Sequence, residues 1–277
     1  MRHVALLIGM LSVLCVVRAQ PKYGVQGTFQ GKSAQGMAVF GNNAFLLNNT
    51  GLCRSFDLKG KELKYNFKLT CFSDKNHANC ASFGSEKLKN KPLLYISQCC
   101  APTFYCYVES VGDDGSELVQ TIALNCSGEN GVAHDWIVDK RANMIYTVTT
   151  AEILDEKTGL RRFHIVKFRL PKISAGKNVV LNDRDVLEDF NIEYPNILQG
   201  GTIKGRYLYL PMGVGKEQKN GNLGRNLVVV DLKKRQIVRT VNIDDYINNE
   251  PEDCDFYKGK LLLYCGQSGG LYEIPTK

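Results

Sequence analysis

Residues 250–274 read EPEDCDFYKGKLLLYCGQSGGLYEI, and this closing stretch decides the fold. A polar step that contains Glu250, Glu252 and Asp253 leads into a strand, a tight turn and a second apolar strand. The same order of features occurs four more times in the chain. The earlier copies begin near residues 34, 77, 133 and 198 and read AQGMAVFGNNAFLL, HANCASFGSEKLKNKPLLYI, AHDWIVDKRANMIYTV and LQGGTIKGRYLYLP.

Each of the first four copies is followed by a second strand pair, as in LVVVDLKKRQIVRTVNI at 227–243. Two pairs make a four-stranded blade. The fifth copy keeps only three strands, so YGVQGTFQ at 23–30 is predicted to supply the fourth and to close the ring without an exposed edge. The sequence therefore predicts an all-β chain with a single five-bladed β-propeller over residues 20–277. The alternatives are six blades, if the long third copy hides another, and a β-sandwich, which the repeat disfavours.

The first 19 residues, MRHVALLIGMLSVLCVVRA, have the pattern of a secretory signal peptide. A short basic start precedes an apolar run that is too short to span a bilayer comfortably, and Val17 and Ala19 fit cleavage after Ala19. A short membrane anchor is the alternative. No later stretch is apolar enough for a transmembrane helix, so we expect a secreted or periplasmic protein.

The cysteine content fits export to an oxidising compartment. Of ten cysteines, one lies in the signal segment, which leaves an odd number and therefore at least one unpaired thiol. No C-x-x-C motif indicates a redox or zinc site. The candidate disulfides are Cys254 with Cys265, Cys80 with Cys99 or Cys100, and Cys53 with Cys71.

The formal net charge is +7, and it falls to +5 once Arg2 and Arg18 leave with the signal segment. Lysine and arginine are scattered, with no stripe of interleaved aromatic residues, so nucleic acid is not an expected partner. Weak attraction to anionic glycans or membranes stays open. Nothing in the sequence indicates an oligomer, and a monomer is expected.

The closing segment resembles the last blade of secreted bacterial propellers of the glutaminyl-cyclotransferase-like and YVTN/NHL-like superfamily, which end on a similar LYEI strand. The preceding LVVVDLKKRQIVRTVNI is similar to their VVVID strand pair. Cyclotransferases carry NEIE and KLWP-like steps, where this chain has EPED and QSGG. The resemblance therefore implies the propeller fold and carries over no catalytic residue.

In a propeller, the innermost strands start at one rim of the central channel, so the five polar steps meet there. Convergence of amide, imidazole, indole and carboxyl groups favours a binding pocket. Each of these side chains could instead serve the fold, Trp136 in the core above all. The candidate ligand-binding residues are Gln35, His77, Asn79, His134, Asp135, Trp136, Gln199, Glu250, Glu252 and Asp253.

No nucleophile elbow, phosphate-binding loop or dinucleotide fingerprint is present. The leading hypothesis is an exported propeller that binds a small molecule, glycan or peptide at this rim. The second is an enzyme, a hydrolase, lyase or lactonase-like protein, in which Asp135 and an acid of the fifth copy act as acid and base. The third is a protein-interaction scaffold. No cofactor is predicted, although the acids and the amide of Asn79 are the kind of oxygen ligands that Ca²⁺ prefers.

Overall fold

A computed structural model describes residues 21–24, 34–99, 103–113, 115–150, 155–214, 224–247, 249–266 and 270–276. The signal segment and most of the predicted latch lie outside these residues. Within them the chain is built of strands with three short 3₁₀ turns, and it holds no helix that could cross a membrane. The strands form five small sheets arranged as a five-bladed propeller, and all neighbouring strands are antiparallel except for one parallel pair in the second blade. The predicted fold class is confirmed.

A short strand β1 (Tyr23–Gly24) precedes the first complete blade. Blades 1 to 3 each place their first strand innermost and their last strand outermost. Blade 1 contains β2 (Ala34–Phe40), β3 (Asn43–Asn48), β4 (Leu52–Asp57) and β5 (Glu62–Lys68); blade 2 contains β6 (Ala78–Leu88), β7 (Lys91–Gln98), β8 (Cys106–Gly112) and β9 (Gly115–Asn125); blade 3 contains β10 (Asp135–Asp139), β11 (Met144–Thr150), β12 (Arg161–Arg169) and β14 (Glu188–Tyr194), with β13 (Asn178–Asn182) between the last two in sequence.

Blades 4 and 5 complete the ring, and the fifth is built from both ends of the chain. Tyr23 and Gly24 pair with Leu271 and Gly270, so the N-terminal strand closes the fifth blade as predicted. Blade 4 contains β15 (Thr202–Lys204), β16 (Tyr207–Met212), β17 (Asn226–Asp231) and β18 (Gln236–Asn242); blade 5 contains β19 (Pro251–Tyr257), β20 (Lys260–Cys265), β21 (Gly270–Ile274) and β1.

The extra length of the third copy does not come from a hidden sixth blade. Its connection from β12 to β14 carries β13, which pairs in parallel with β9 of blade 2. The outer partner of β12 is β14, and not the intervening β13. Blade 2 is therefore five-stranded, and the connection ties blade 3 to its neighbour.

The hydrophobic core is divided into five clusters, one at each contact between neighbouring blades. Middle strands such as β17 are buried on both faces, because each face packs on an adjacent blade. The outermost β18 alternates exposed and half-buried residues, since one of its faces meets solvent. The blades are thus held together chiefly by apolar faces, which leaves the channel free to be polar.

The described cysteines differ from the sequence prediction, because none of them lies at disulfide distance from another. Cys100, the alternative partner predicted for Cys80, lies outside the described residues. Cys254 stands opposite Leu263 and Cys265 opposite Pro251, so the two thiols are offset along the hairpin and both enter the core between blades 4 and 5. Cys53 pairs with Phe67, whereas Cys71 lies beyond the end of β5. Cys80 turns toward the channel, where its thiol contacts the Gly201 carbonyl at 3.5 Å, away from Cys99.

We expect the fully buried thiols to resist labelling in the native protein. Cys53, Cys80, Cys106, Cys254 and Cys265 have no exposed surface. Burial also raises the pKa of Cys80, Cys254 and Cys265 well above 9.0, which removes the reactive thiolate at pH 8. Site-resolved alkylation followed by mass spectrometry should modify these five only after denaturation. Rapid native labelling of any of them, or a Cys254–Cys265 cross-link in an unreduced digest, would contradict this structure.

Candidate functional site

The five polar steps meet at one end of the central channel, which we call the upper rim. In blades 1, 2 and 5 the innermost strand carries a register shift at this point, between Ala34 and Met37, between Ala78 and Ala81, and between Pro251 and Asp253. Such bulges re-aim side chains that would otherwise follow the pleat. At these shifts Gln35, Asn79 and Glu252, all of them predicted site residues, have no paired residue in the neighbouring strand.

Asp253 lies at the centre of the channel with no exposed surface. Its Oδ2 accepts hydrogen bonds from the backbone N–H of Met37 at 2.9 Å and of Ala81 at 3.0 Å. Its Oδ1 accepts from the N–H of Gly201 at 2.9 Å and of Cys254 at 2.8 Å. Burial raises the pKa of Asp253, and the N–H donors oppose that rise. This carboxyl therefore joins blades 1, 2, 4 and 5.

Close approach of the backbone to this carboxyl depends on the glycines of blade 4. A Cβ on Gly200 would lie 2.6 Å from Asp253 Oδ1, too near for any side chain. A second carboxyl repeats the arrangement one pleat lower, where Asp255 Oδ2 accepts from the Val39 N–H at 2.7 Å and Oδ1 accepts from the Thr202 hydroxyl at 3.1 Å. Sequence reasoning did not select Asp255 or these glycines.

Asn79 and Gln199 extend the network around the rim. The Asn79 amide donates to Asp135 Oδ1 and to the Gln199 carbonyl, both at 2.7 Å. The Gln199 amide donates to the Gly213 carbonyl and to Glu250 Oε1, both at 2.8 Å. Asp135 is buried, and burial raises its pKa to about 7 in spite of the Asn79 bond. Blades 2, 3, 4 and 5 are linked in this way.

The histidines and the tryptophan have distinct environments. His77 Nε2 lies 2.8 Å from Gln35 Oε1, and burial lowers the pKa of this imidazole. His134 is half-buried and meets the ring of Phe104 edge-on, with centroids 5.3 Å apart. Trp136 has no exposed surface, packs in the core between blades 2 and 3, and donates from Nε1 to the Phe104 carbonyl at 2.9 Å. Trp136 therefore serves the fold and not a ligand surface.

Glu252 differs from every other acid of the rim. Its side chain is 4% exposed, and no hydrogen bond lowers its pKa, whereas one or more lower the pKa of Asp135, Glu250 and Asp253. Burial, reinforced by the charges of Glu250 and Asp253, raises its pKa to about 9. At neutral pH this carboxyl is therefore protonated. Its Oε1 lies so close to Gly266 that a Cβ there would overlap it.

Two further polar groups near strand β20 lack partners among the described residues. The Tyr264 hydroxyl is buried without a hydrogen bond, and so is Arg225 Nη2. The rest of the Arg225 guanidinium is used, since Nε donates to Asp244 Oδ1 at 2.6 Å and Nη1 to the Asn249 carbonyl at 2.9 Å. Glu252 acts electrostatically on both Tyr264 and Cys265, and Arg225 acts on Cys265. We name Glu252, Tyr264 and Arg225 the unsatisfied cluster, after the unpartnered atoms of Tyr264 and Arg225.

Comparison with known proteins adds similarity of fold alone. The sequence matches no family and no curated protein. Among solved structures it is similar to the computationally designed Ika8 protein, with 11% identity, a TM-score of 0.36, and coverage of 87% of this chain and 70% of that one. It is also similar to Chaetomium thermophilum Raptor, with 13% identity, a TM-score of 0.44, and coverage of 85% of this chain and 19% of that one.

At these identities neither likeness carries an argument about ligand or activity. No family match supports the particular superfamily that the closing segment resembles. Metal binding has no geometric support of its own, because no group of three or more His, Cys, Asp or Glu side chains in the described ranges is placed to hold an ion. The case for a function therefore depends on the polar groups themselves.

Proposed function

We propose that the protein is an exported propeller that binds a small polar ligand at the upper rim, with Glu252 as the residue that contacts it. The observation that carries this proposal is the nearly fully buried Glu252 carboxyl with two buried polar groups near it that have no hydrogen-bond partner in the described structure, the Tyr264 hydroxyl and Arg225 Nη2. Buried polar groups in native proteins are almost always paired, and an exception points to a water, an ion or a ligand. Every other acid selected at the rim has a protein partner.

The chemistry of the unsatisfied cluster limits the ligand. A protonated Glu252 offers one donor and one acceptor, and the Tyr264 hydroxyl offers the same. Arg225 Nη2 adds a charged donor. A ligand with both hydroxyl or ammonium donors and a carbonyl or carboxylate acceptor would satisfy all three. A free amino acid, a peptide end or a sugar acid has this combination of groups.

The test is calorimetric titration of the mature protein with a panel of amino acids, dipeptides, sugar acids and CaCl₂. We expect one class to bind wild type, and Glu252→Ala to weaken it about tenfold or more, since removing one partner of a buried hydrogen bond costs about 1–3 kcal/mol. Glu62→Ala, at an exposed glutamate on β5, is the matched control and should bind as wild type does. A cationic ligand that ionises Glu252 should also release a proton, seen as a dependence of the heat on the buffer.

Two results would overturn the proposal. Binding that is equal in wild type and Glu252→Ala would place the ligand elsewhere. No binding by any compound, together with an ordered water on Glu252 in a crystal structure, would show that solvent satisfies the carboxyl.

A propeller enzyme is the second candidate, and the raised pKa of Asp135, about 7, favours it. A carboxyl that titrates near neutral pH is suited to general acid–base work. Turnover of a ligand found in the titration, lost in Asp135→Asn while binding persists, would establish it. Bound ligand that is recovered unchanged would favour the binding protein.

A further inference from the structure

The opposite end of the channel has a very different charge. Because the strands within each blade are antiparallel, the turns after the first and third strands lie on the face away from the upper rim, which we call the turn face. Many exposed lysine and arginine residues occupy these turns. They are Lys59 and Lys61 in blade 1, Lys89 in blade 2, Lys140 and Arg141 in blade 3, Arg206, Lys233, Lys234 and Arg235 in blade 4, and Lys258 and Lys260 in blade 5.

Acids neutralise only part of this charge. Arg206 pairs with Asp231 at 2.7 Å, Arg235 with Glu188 at 2.6 Å, and Lys260 with Glu273 at 2.6 Å. Lys59 and Lys258 form no ion pair with any residue in the described ranges. The turn face is therefore a field of positive charge, and the +7 charge of the sequence is unevenly distributed.

A cleft of about 370 Å³ opens in this field where the ring closes between blades 5 and 1. Lys22, Lys59, Lys258 and Lys260 line it, with Glu273 as the single acid. Leu58 and Leu262, both buried, contribute apolar surface to the lining. Four ammonium groups against one carboxylate leave the cleft with an excess of three positive charges. Its volume suits a ligand of one or two sugar rings.

We propose that this seam cleft binds an acidic oligosaccharide, with its sulfate or carboxylate groups on the lysines and the rest of the chain along the turn face. Lysine offers point charges on flexible stems, which suits ligands whose anionic groups vary in position. The basic turns on either side allow a longer polyanion to continue beyond the cleft.

Two other polyanions fit the surface less well. Single-stranded nucleic acid binds by stacking bases on exposed aromatic faces. The cleft offers little such surface, because Tyr257 is 8% exposed with its hydroxyl on Asn42 Oδ1, and the half-buried Tyr23 packs edge-on against Phe56. Membrane surfaces are bound most firmly when apolar side chains insert. The exposed large hydrophobic residues of the described ranges, Leu63, Val180, Leu187, Val238 and Tyr246, do not lie at the tips of the basic turns.

The test is binding of a heparin-derived hexasaccharide to the full chain by fluorescence anisotropy, at several salt concentrations. Lys59→Gln/Lys258→Gln should weaken binding at least tenfold, because each lysine contact to an anionic group is a charge-assisted hydrogen bond. The matched control is Lys157→Gln/Lys177→Gln, which removes the same charge from exposed positions of the third blade outside the cleft. This control should change the affinity less than twofold. Glu252→Gln should leave it unchanged, so the outcome is independent of the upper rim.

Competing probes decide the class of partner. An oligo-dT of equal charge and vesicles with phosphatidylserine should bind at least tenfold more weakly than the hexasaccharide. Tighter binding of either would overturn the choice of carbohydrate. If the cleft variant and the control variant weaken binding equally, net charge alone explains the effect, and the proposed site is wrong. The proposed site is also wrong if the hexasaccharide does not bind.

Discussion

Replacing Asp253 with alanine should lower the free energy of unfolding by on the order of 4 kcal/mol or more, the largest single effect we expect in this protein. The substitution leaves four buried backbone N–H groups, those of Met37, Ala81, Gly201 and Cys254, without their acceptor. Each such group costs about 1–3 kcal/mol when it is left unsatisfied. Three of the four belong to other blades, so the loss also separates elements that are distant in sequence.

Urea unfolding followed by circular dichroism measures this effect. Asp253→Asn should also destabilise the folded protein. The NH₂ group of the asparagine would face backbone N–H donors at the place where Asp253 presents an acceptor oxygen. Asp155→Asn is the matched control, since Asp155 also accepts backbone hydrogen bonds, from Lys157 and Thr158, but in an exposed turn. It should cost less than about 1 kcal/mol. A cost for Asp253→Ala as small as that of the control would show that the blades do not depend on this carboxyl.

Replacing Glu252 with glutamine should stabilise the protein at alkaline pH, contrary to most core substitutions. The pKa of Glu252 rises from 4.5 to about 9 on folding, so the folded state holds a proton that the unfolded state releases. Stability from this group is complete below pH 4.5 and is lost as the pH rises toward 9. The loss follows a slope of about 1.4 kcal/mol per pH unit and reaches on the order of 5 kcal/mol. Glutamine is neutral at every pH, so the variant does not undergo this loss of stability.

The measurement is the difference in unfolding free energy between Glu252→Gln and wild type at pH 5, 7 and 9. The difference should grow with pH, while that for Glu62→Gln, on the solvent-exposed part of β5, should stay level. Taking differences cancels groups whose folded pKa is lowered, such as Asp57. A flat difference would show that Glu252 titrates as an ordinary carboxyl. A residue kept at the expense of stability is typical of a functional site, so this result also bears on the proposed function.

The blade repeat could be predicted because it depends on patterns inside each strand. Runs such as NLVVVD are apolar throughout, as strands buried between two blades must be. The destination of β13 could not be predicted, since Asn178–Asn182 has the same strand character whichever blade it joins. Its pairing with β9 is decided by tertiary contacts that no local pattern encodes.

The residues of the upper rim could be selected from sequence, but their individual roles could not. Asp253 and Glu252 are adjacent acids in the same motif, yet Asp253 is held by four N–H groups, whereas only burial and neighbouring charges act on the pKa of Glu252. The difference arises from the register shift between Pro251 and Asp253. A one-residue shift turns a side chain to a new direction, and composition does not reveal where it occurs. The disulfide predictions failed for a related reason, because proximity in sequence ignored the offset of Cys254 and Cys265 across their hairpin.

The pairing of Tyr23 with Leu271 determines when the ring can close during biosynthesis. The first described strand must wait for the last before the fifth blade is complete, and the paired residues Tyr23 and Leu271 are 248 positions apart in the sequence (271 − 23). Contacts so distant in sequence form slowly, because the entropy of closing the loop must be overcome before they stabilise anything. While a ribosome is still synthesising the chain, β1 therefore has no strand to pair with until β21 has emerged. Molecular chaperones that shield an unpaired strand would therefore act mainly in that interval.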